Sequence, residues 1–353
     1  MARIVLVSYR LGGTDGVAIE AEKWITALES LGHRVRTVAG EGEADVLLPG
    51  LAMYAPTGPS FEELNSTLEG ADLVIVENIA SLPLNVAARD ALYHVLDQRP
   101  ALFHHHDLPW QREAFAHLEG PRDQPRWRHV TINELSRRQL CERGVRASTL
   151  MNSFECDPPP GRRDATRRAL GVGDERLVLL ATRAIARKNV GGALELCAAL
   201  AATLWILGPS EDGYGEELED LVRSSGVDVR QGALPGTRVH DAYAACDLVV
   251  MPSTWEGFGN PVLESVTHRR PLALHPYPVA EELRAFGFDF FRLDDVAGLD
   301  KFLDDPDAEL FERNLAVARA HFNLEHLPGH LARLVDPLVA SAGAAPTVGS
   351  PKC

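Results

Sequence analysis

Two trains of short apolar runs, each run followed by a longer amphipathic segment, leave this chain few folds to choose from. The first train reads "RIVLVSY", "HRVRTVAG", "ADLVIVEN", "PALFHHHD", "WRHVTINE" and "ASTLMNS". The second reads "RLVLLATR", "TLWILGP", "VDVRQG", "DLVVMPS" and "RPLALHP". Unbroken runs of Val, Leu and Ile suit strands covered on both faces of a parallel sheet. Between the first two runs, Val17, Ala21, Trp24, Ile25, Leu28 and Leu31 recur at helical spacing and Gly32 closes the segment. Strand and helix therefore alternate, and the proline-rich, then charged "CDPPPGRRDATRR" divides the trains as a linker. The expected architecture is α/β, with two doubly wound domains over residues 1–155 and 156–324. A late helix at about 325–340 is expected to pack back on the first domain, and residues 341–353, "SAGAAPTVGSPKC", read as a disordered tail. Ligands of such sheets sit beyond the carboxyl ends of the strands.

Charge and cysteine usage narrow the function. The 353 residues carry a net charge of −15, and both halves are acidic. That argues against nucleic acid, whose binding draws on phosphate neutralisation, and against docking on anionic membranes. The apolar start is too short for a signal peptide, and "CAALAATLWIL" is too short to span a bilayer. Five cysteines without a C-x-x-C suggest reduced thiols and a cytoplasmic location without membrane anchoring. Nothing in these features speaks to oligomeric state.

The stretch "STWEGFGNPVLESVTH" follows the strand "DLVVMPS" and sets two glutamates, Glu256 and Glu264, around a glycine–aromatic–glycine step. Asn260 before Pro261 predicts a helix start capped by Asn260, running to about His268–Arg270. Gly257 and Gly259 then lie just ahead of that helix, where bare main-chain N–H groups and the helix dipole favour an anion. A diphosphate there, with hydroxylated groups on either side for the two carboxylates, suits the layout. The plainer alternative makes Glu264 a dipole partner and Glu256 a solvated charge. In "LLATRAIARKN", Arg183 ends a buried strand and Lys188 follows five residues on, cations that could neutralise a leaving diphosphate. Arg187 beside them reads as a surface cation.

Taken together, "TRAIARKN", "GP", "VDVRQG" and "YAACDLVVMPSTWEGFGNPVLES" resemble the C-terminal half of retaining glycosyltransferases of family four, with a GT-B fold of two Rossmann-like domains and an interdomain cleft. "DGVAIEAEKWITALESLGHRV", "HHHDLPW", "VTINELSRRQL" and "LMNS" are similar to the family's glycine loop, His-Asp strand end, serine-rich turn and linker asparagine. The resemblance implies that Arg183 and Lys188 grip the donor diphosphate. It implies that Gly257, Phe258 and Gly259 present amides, that Glu256 holds the transferred sugar and that Glu264 takes the ribose. His106, immediately before Asp107, matches the family histidine near the reacting sugar. Where the family has Gly-Gly before the first helix this chain has Asp15-Gly16, with an earlier pair at Gly12-Gly13; the helix that follows favours Gly16 as the donor contact.

Other features of the chain carry weaker signals. His104 and His106 share one side of a strand and could bind metal with Asp107, although zinc sites favour wider spacing. The "DDPD" at 304–307 reads as helix capping. Asp15, Trp110 and Arg112 are candidate acceptor contacts. The basic run from Arg122 to Arg138 reads as a solvated face. A dehydrogenase lacks its G-x-G-x-x-G and its ribose-binding acid here. The expectation is thus a metal-independent, cofactor-free retaining hexosyltransferase. Its donor would be a nucleotide-diphosphate sugar such as UDP-glucose or GDP-mannose, its acceptor a small soluble molecule, and its base the leaving phosphate. A nucleotide-sugar epimerase or hydrolase on the same fold, or a non-catalytic binding protein, are the rivals.

Overall fold

The protein is described by a computed structural model covering residues 1–13 and 15–340; the tail expected at 341–353 lies outside the described residues. The chain divides into two compact units, one of Met1–Ser153 with the residues from Glu325 on, the other of Phe154–Leu324.

In the first unit the chain runs β1 (Arg3–Leu11), α1 (Gly16–Ser30), β2 (Arg34–Gly42), β3 (Val46–Leu47), α2 (Phe61–Thr67), β4 (Leu73–Glu77), α3 (Val86–Val95), β5 (Ala101–His105), β6 (Trp127–Thr131), α4 (Glu134–Glu142) and β7 (Ala147–Thr149). All seven strands are parallel, in the order β3-β2-β1-β4-β5-β6-β7. The apolar runs drive this arrangement. Ile4 to Val7 of β1 and the whole of β4 and β5 are buried, and Phe103, Trp127 and Tyr93 pack together under one face.

The second unit runs α5 (Arg163–Leu170), β8 (Leu177–Leu180), α6 (Val190–Ala199), β9 (Thr203–Ile206), α7 (Gly215–Ser225), β10 (Val229–Gln231), α8 (Val239–Ala245), β11 (Leu248–Met251), α9 (Asn260–Thr267), β12 (Leu272–Leu274), α10 (Pro278–Ala285), β13 (Phe291–Arg292), α11 (Val296–Asp304) and α12 (Ala308–His321). Its six parallel strands take the order β10-β9-β8-β11-β12-β13. The two-residue edge strands β3 and β13 have no counterpart among the apolar runs, because an edge strand needs no two-sided cover. The last helix, α13 (Leu327–Ala340), packs on α1 and β4 of the first unit with Leu331 and Val335 buried.

Each sheet reverses its strand order once, between β1 and β4 and between β8 and β11. The loops leaving the two strands at a reversal diverge to opposite faces and open a crevice beyond the carboxyl edge, the usual ligand position of this architecture. Cys156, Cys197 and Cys246 are buried thiols. Among the described residues no helix is long and apolar enough to cross a membrane.

Candidate active site

The reversal point of the second sheet gathers residues that are far apart in the chain. Strand β8, buried throughout, delivers Thr182 and Arg183 to the carboxyl edge. There the neighbouring strand exit comes very close. A Cβ on Gly208 would lie 2.7 Å from the Arg183 nitrogen, so only glycine fits. Arg183 Nη1 pairs with Glu211 Oε2 at 2.5 Å, but the two side chains are 39% and 41% exposed. A pair that open contributes little and separates readily for a stronger anion.

Beyond Arg183 a single 3₁₀ turn, Ala186–Lys188, tips Lys188 inward, where it is 6% exposed. Asn189 adopts a left-handed φ of 48° and caps α6 through Gly192 N at 3.2 Å, while its amide nitrogen donates to the Pro252 carbonyl at 3.3 Å. That one side chain ties the loop after β8 to the loop after β11. A second tie runs from Thr254 N to the Arg187 carbonyl at 3.1 Å. Across this seam Glu256, 6% exposed, receives Lys188 Nζ on Oε1 and Arg187 Nη1 on Oε2, the latter at 2.9 Å. Burial works against the Glu256 carboxylate, but the charges of Lys188 and Arg187 outweigh it and hold its pKa below the usual range. Burial lowers the pKa of Lys188, Glu256 opposes that, and the charge of Arg183 is close enough to add to the lowering. Arg187, read from the sequence as a surface cation, is therefore part of the cluster. Only its inward turn within the 3₁₀ segment distinguishes it, and that turn has no sequence mark beyond the Arg-Lys doublet.

Helix α9 leaves the same loop, and its start corrects the sequence expectation. Asn260 is the first helical residue, and the cap position belongs to Gly259 at φ 91°, which has no side chain to offer the helix amides. A Cβ at Gly259 would meet the Tyr277 hydroxyl at 2.5 Å, so close approach as well as backbone conformation demands glycine. The helix also ends earlier than expected, at Thr267, with Arg269 at φ 52° beyond it. The Phe258 ring is buried, stacked on Phe154 at 5.9 Å with Phe322 edge-on at 6.2 Å, and its carbonyl accepts from Tyr277 Oη at 3.1 Å. Phe258 thus anchors the glycine loop by its ring. Glu264, one turn into α9, accepts from Tyr243 Oη at 2.6 Å. Tyr243 is fully buried in α8 and stacks on His268 at 4.6 Å. It escaped the sequence reading because an aromatic on an apolar helix face looks like packing alone.

In the first unit the register Ser8↔Glu77 and Glu77↔His104 lines up the strand ends at the other reversal point. The histidines alternate as a strand requires. His104 Nδ1 and His106 Nε2 both reach Glu77 Oε2, at 2.9 and 3.2 Å, while His105 turns to the opposite face. Trp24 of α1 stacks on His104 at 4.1 Å. Burial opposes the Glu77 carboxylate, yet the two imidazoles bring it down to about 2; burial likewise lowers His104. The third group beside the histidines is therefore Glu77 and not Asp107, which pairs with Arg112 at 2.8 Å. Glu77, His104 and His106 offer three ligand atoms within 4.8 Å of one another, a set chemically able to hold zinc. The spacings to the carboxylate are those of imidazole N–H donors, which already account for both nitrogens. On the other face a buried relay runs from Ser81 Oγ to His105 Nδ1 at 2.6 Å and from His105 Nε2 to His129 Nδ1 at 2.9 Å. His129 Nε2 stands 3.6 Å from Asp123, too far for a full hydrogen bond.

The remaining sequence candidates have partners within the first unit. Asp15 caps α1, its Oδ1 accepting from Val17 N and Ala18 N at 3.1 Å and its Oδ2 from Arg10. Gly16 opens that helix in an exposed position. Trp110 donates to Gln139 at 2.9 Å and carries the Arg143 guanidinium over its ring at 3.9 Å.

Residues 175–287 match the family of glycosyl transferases group 1. With its two doubly wound parallel sheets, the chain is a glycosyltransferase of the GT-B type. It is 26% identical to the mannosylglucosylglycerate synthase of Thermotoga maritima, over 95% of this chain and the whole of that relative. It is 26% identical to the synthase of that name from Petrotoga mobilis, over 82% of this chain and 86% of the relative. Among solved structures, Anabaena HepE in complex with UDP-glucose superposes with a TM-score of 0.73 at 17% identity, covering 95% of this chain and 99% of that one. At that identity the likeness speaks for the fold alone.

Proposed function

We propose that the protein moves a hexose from a UDP- or GDP-linked sugar to a hydroxyl of a small acceptor, retaining the anomeric configuration and using no metal. The name carried by both relatives favours mannose as the sugar and a carboxylated, glucosylglycerate-like acceptor. The observation that carries the proposal is the meeting of Lys188 and Arg187 on the buried Glu256, across the two strand exits that flank the β8/β11 reversal. A cation-rich crevice beside a glycine loop and a helix start is what a sugar diphosphate needs.

In this mechanism the bond between the anomeric carbon and the diphosphate oxygen breaks. The acceptor oxygen bonds to the same face of that carbon, and its proton passes to the leaving phosphate. Lys188, Arg183 and the amides of Gly257, Phe258 and Gly259 stabilise the negative charge that develops on the diphosphate. Glu256 holds hydroxyls of the sugar and is not the nucleophile. Glu264, oriented by Tyr243, accepts from the ribose. Gly16 is the proposed donor contact of the first unit. His106, oriented by Glu77, is the residue of that unit proposed to meet the reacting sugar, and Asp15, Trp110 and Arg112 are its candidate acceptor contacts.

The test incubates the purified protein with GDP-mannose or UDP-glucose, with and without glucosylglycerate, in EDTA, and follows the anomeric signals by NMR. An α-linked disaccharide product formed only with acceptor present is expected. Nucleotide release from donor alone would favour the hydrolase or epimerase. Loss of all turnover in EDTA, restored by a divalent cation, would remove the metal-free step.

A further inference from the structure

We propose that Arg187 is a positioning residue, the standing counter-ion that keeps Glu256 ionised and in place while Lys188 is drawn onto the donor diphosphate. The inference rests on the donor-binding role proposed above and adds to it a division of labour between the two cations. Glu256 is a single carboxylate met by two cations, Lys188 on one oxygen and Arg187 on the other. The three side chains therefore carry one positive charge more than neutrality requires. If Lys188 alone balanced Glu256, moving it to a phosphate would strand a buried carboxylate, which is strongly disfavoured. With Arg187 present, the surplus charge can leave and the carboxylate stays compensated.

The two cations are suited to different parts. Lys188 is a point charge on a flexible four-carbon stem, free to swing between acceptors. Arg187 has a planar guanidinium fastened twice, its Nη1 donating to Glu256 Oε2 and to the Trp255 carbonyl, both at 2.9 Å. Its own carbonyl accepts from Thr254 N at 3.1 Å. Backbone and side chain are thus tied to the loop that carries Glu256, and the guanidinium cannot follow a phosphate without giving up both of its bonds there. Each oxygen of the carboxylate still has a lone pair for a sugar hydroxyl.

Calorimetric titration separates this role from the others. Wild type, Arg187→Ala, Arg187→Lys and the double variant Arg187→Ala with Glu256→Gln are titrated with GDP and GDP-mannose, or with UDP and UDP-glucose if the wild type prefers them. Either ligand draws Lys188 onto a diphosphate, so both should suffer when Arg187 is absent and Glu256 is left uncompensated. In Arg187→Ala the affinity for the nucleoside diphosphate should fall about tenfold or more, and that for the sugar nucleotide at least as far, with kcat falling too. Arg187→Lys should regain part of the loss. In the double variant no carboxylate is left to strand, so nucleoside diphosphate affinity should return to the wild-type level or above it. No recovery in the double variant would overturn the proposal, because it would mean that Arg187 grips the phosphates or only supports the loop. An unchanged nucleoside diphosphate affinity in Arg187→Ala would overturn it as well. Failure of the wild type to bind any of the four ligands would instead sink the donor-binding proposal, and the positioning role with it.

Discussion

Replacing Lys188 by alanine removes a buried ammonium from Glu256 but leaves Arg187 in place, so stability and activity should part company. Arg187 Nη1 stands 2.9 Å from Glu256 Oε2, a gross attraction of about 6 kcal/mol at an effective dielectric of about 20. That is comparable with the several kcal/mol that desolvation costs a buried carboxylate. Glu256 should therefore remain ionised, and the variant should lose about 1–2 kcal/mol of folding stability. Stripping the carboxylate of both partners, in Lys188→Ala with Arg187→Ala, should cost about 3–5 kcal/mol. Activity should respond far more to the single change. Losing one charged donor to the negative charge that develops in the transition state costs about 2.7–4 kcal/mol, or about 10²–10³ in kcat. Urea unfolding and steady-state kinetics at saturating donor check the two halves separately. Near-normal kcat in a folded Lys188→Ala would refute the assignment of Lys188 to the diphosphate. A stability loss as large as that of the double variant would refute the claim that Arg187 can carry Glu256 alone.

Three further outcomes are expected. Tyr243→Phe removes a hydrogen bond to a carboxylate at 2.6 Å, and such bonds contribute about 1.5–3 kcal/mol. Nucleotide affinity should weaken about tenfold or more by calorimetry, and an unchanged affinity would show that Tyr243 does not orient Glu264 for the ribose. Gly259→Ala sets a methyl 2.5 Å from the Tyr277 hydroxyl at a φ of 91°, and should destabilise by about 1–3 kcal/mol. Adding Tyr277→Phe should recover part of that loss; no recovery in urea unfolding would show that backbone strain alone is responsible. Acid should destabilise the protein through its buried and half-buried histidines. Burial drives His268 down to about 4 and also lowers His105 and His129. The unfolded chain then binds more protons than the folded one, so stability is full above about pH 6.5 and falls as pH drops toward 4. For His268 alone the shift from 6.5 to about 4 corresponds to about 3 kcal/mol, and thermal unfolding in which His268→Gln leaves this slope unchanged would exclude it.

Much of the fold was legible because a buried parallel strand must be apolar on both faces, so β1, β4, β5, β8, β9 and β11 announce themselves as unbroken runs. Period-two alternation likewise gave the shared side of His104 and His106. The edge strands β3 and β13 and the true start of α9 were hidden. Two residues make no period, and Asn260 fits the cap preference so well that only the backbone at Gly259 corrects it. Arg187 and Lys188 are adjacent in sequence and chemically alike, so composition could not say which turns inward; in the 3₁₀ turn both do.

Local chemistry written in the chain was enough for the alternating α/β architecture, the two parallel sheets and the cations and carboxylates that carry the glycosyltransferase resemblance. These follow from hydrophobic period and residue type, which neighbours along the chain determine. Partner choice was left to tertiary structure. Glu77 rather than Asp107 meets the histidines, Tyr243 holds Glu264, Glu211 holds Arg183, and two cations share Glu256. Those pairings depend on which strand ends and helices lie side by side once the sheets have formed, a juxtaposition set by packing across tens of residues that no local pattern encodes.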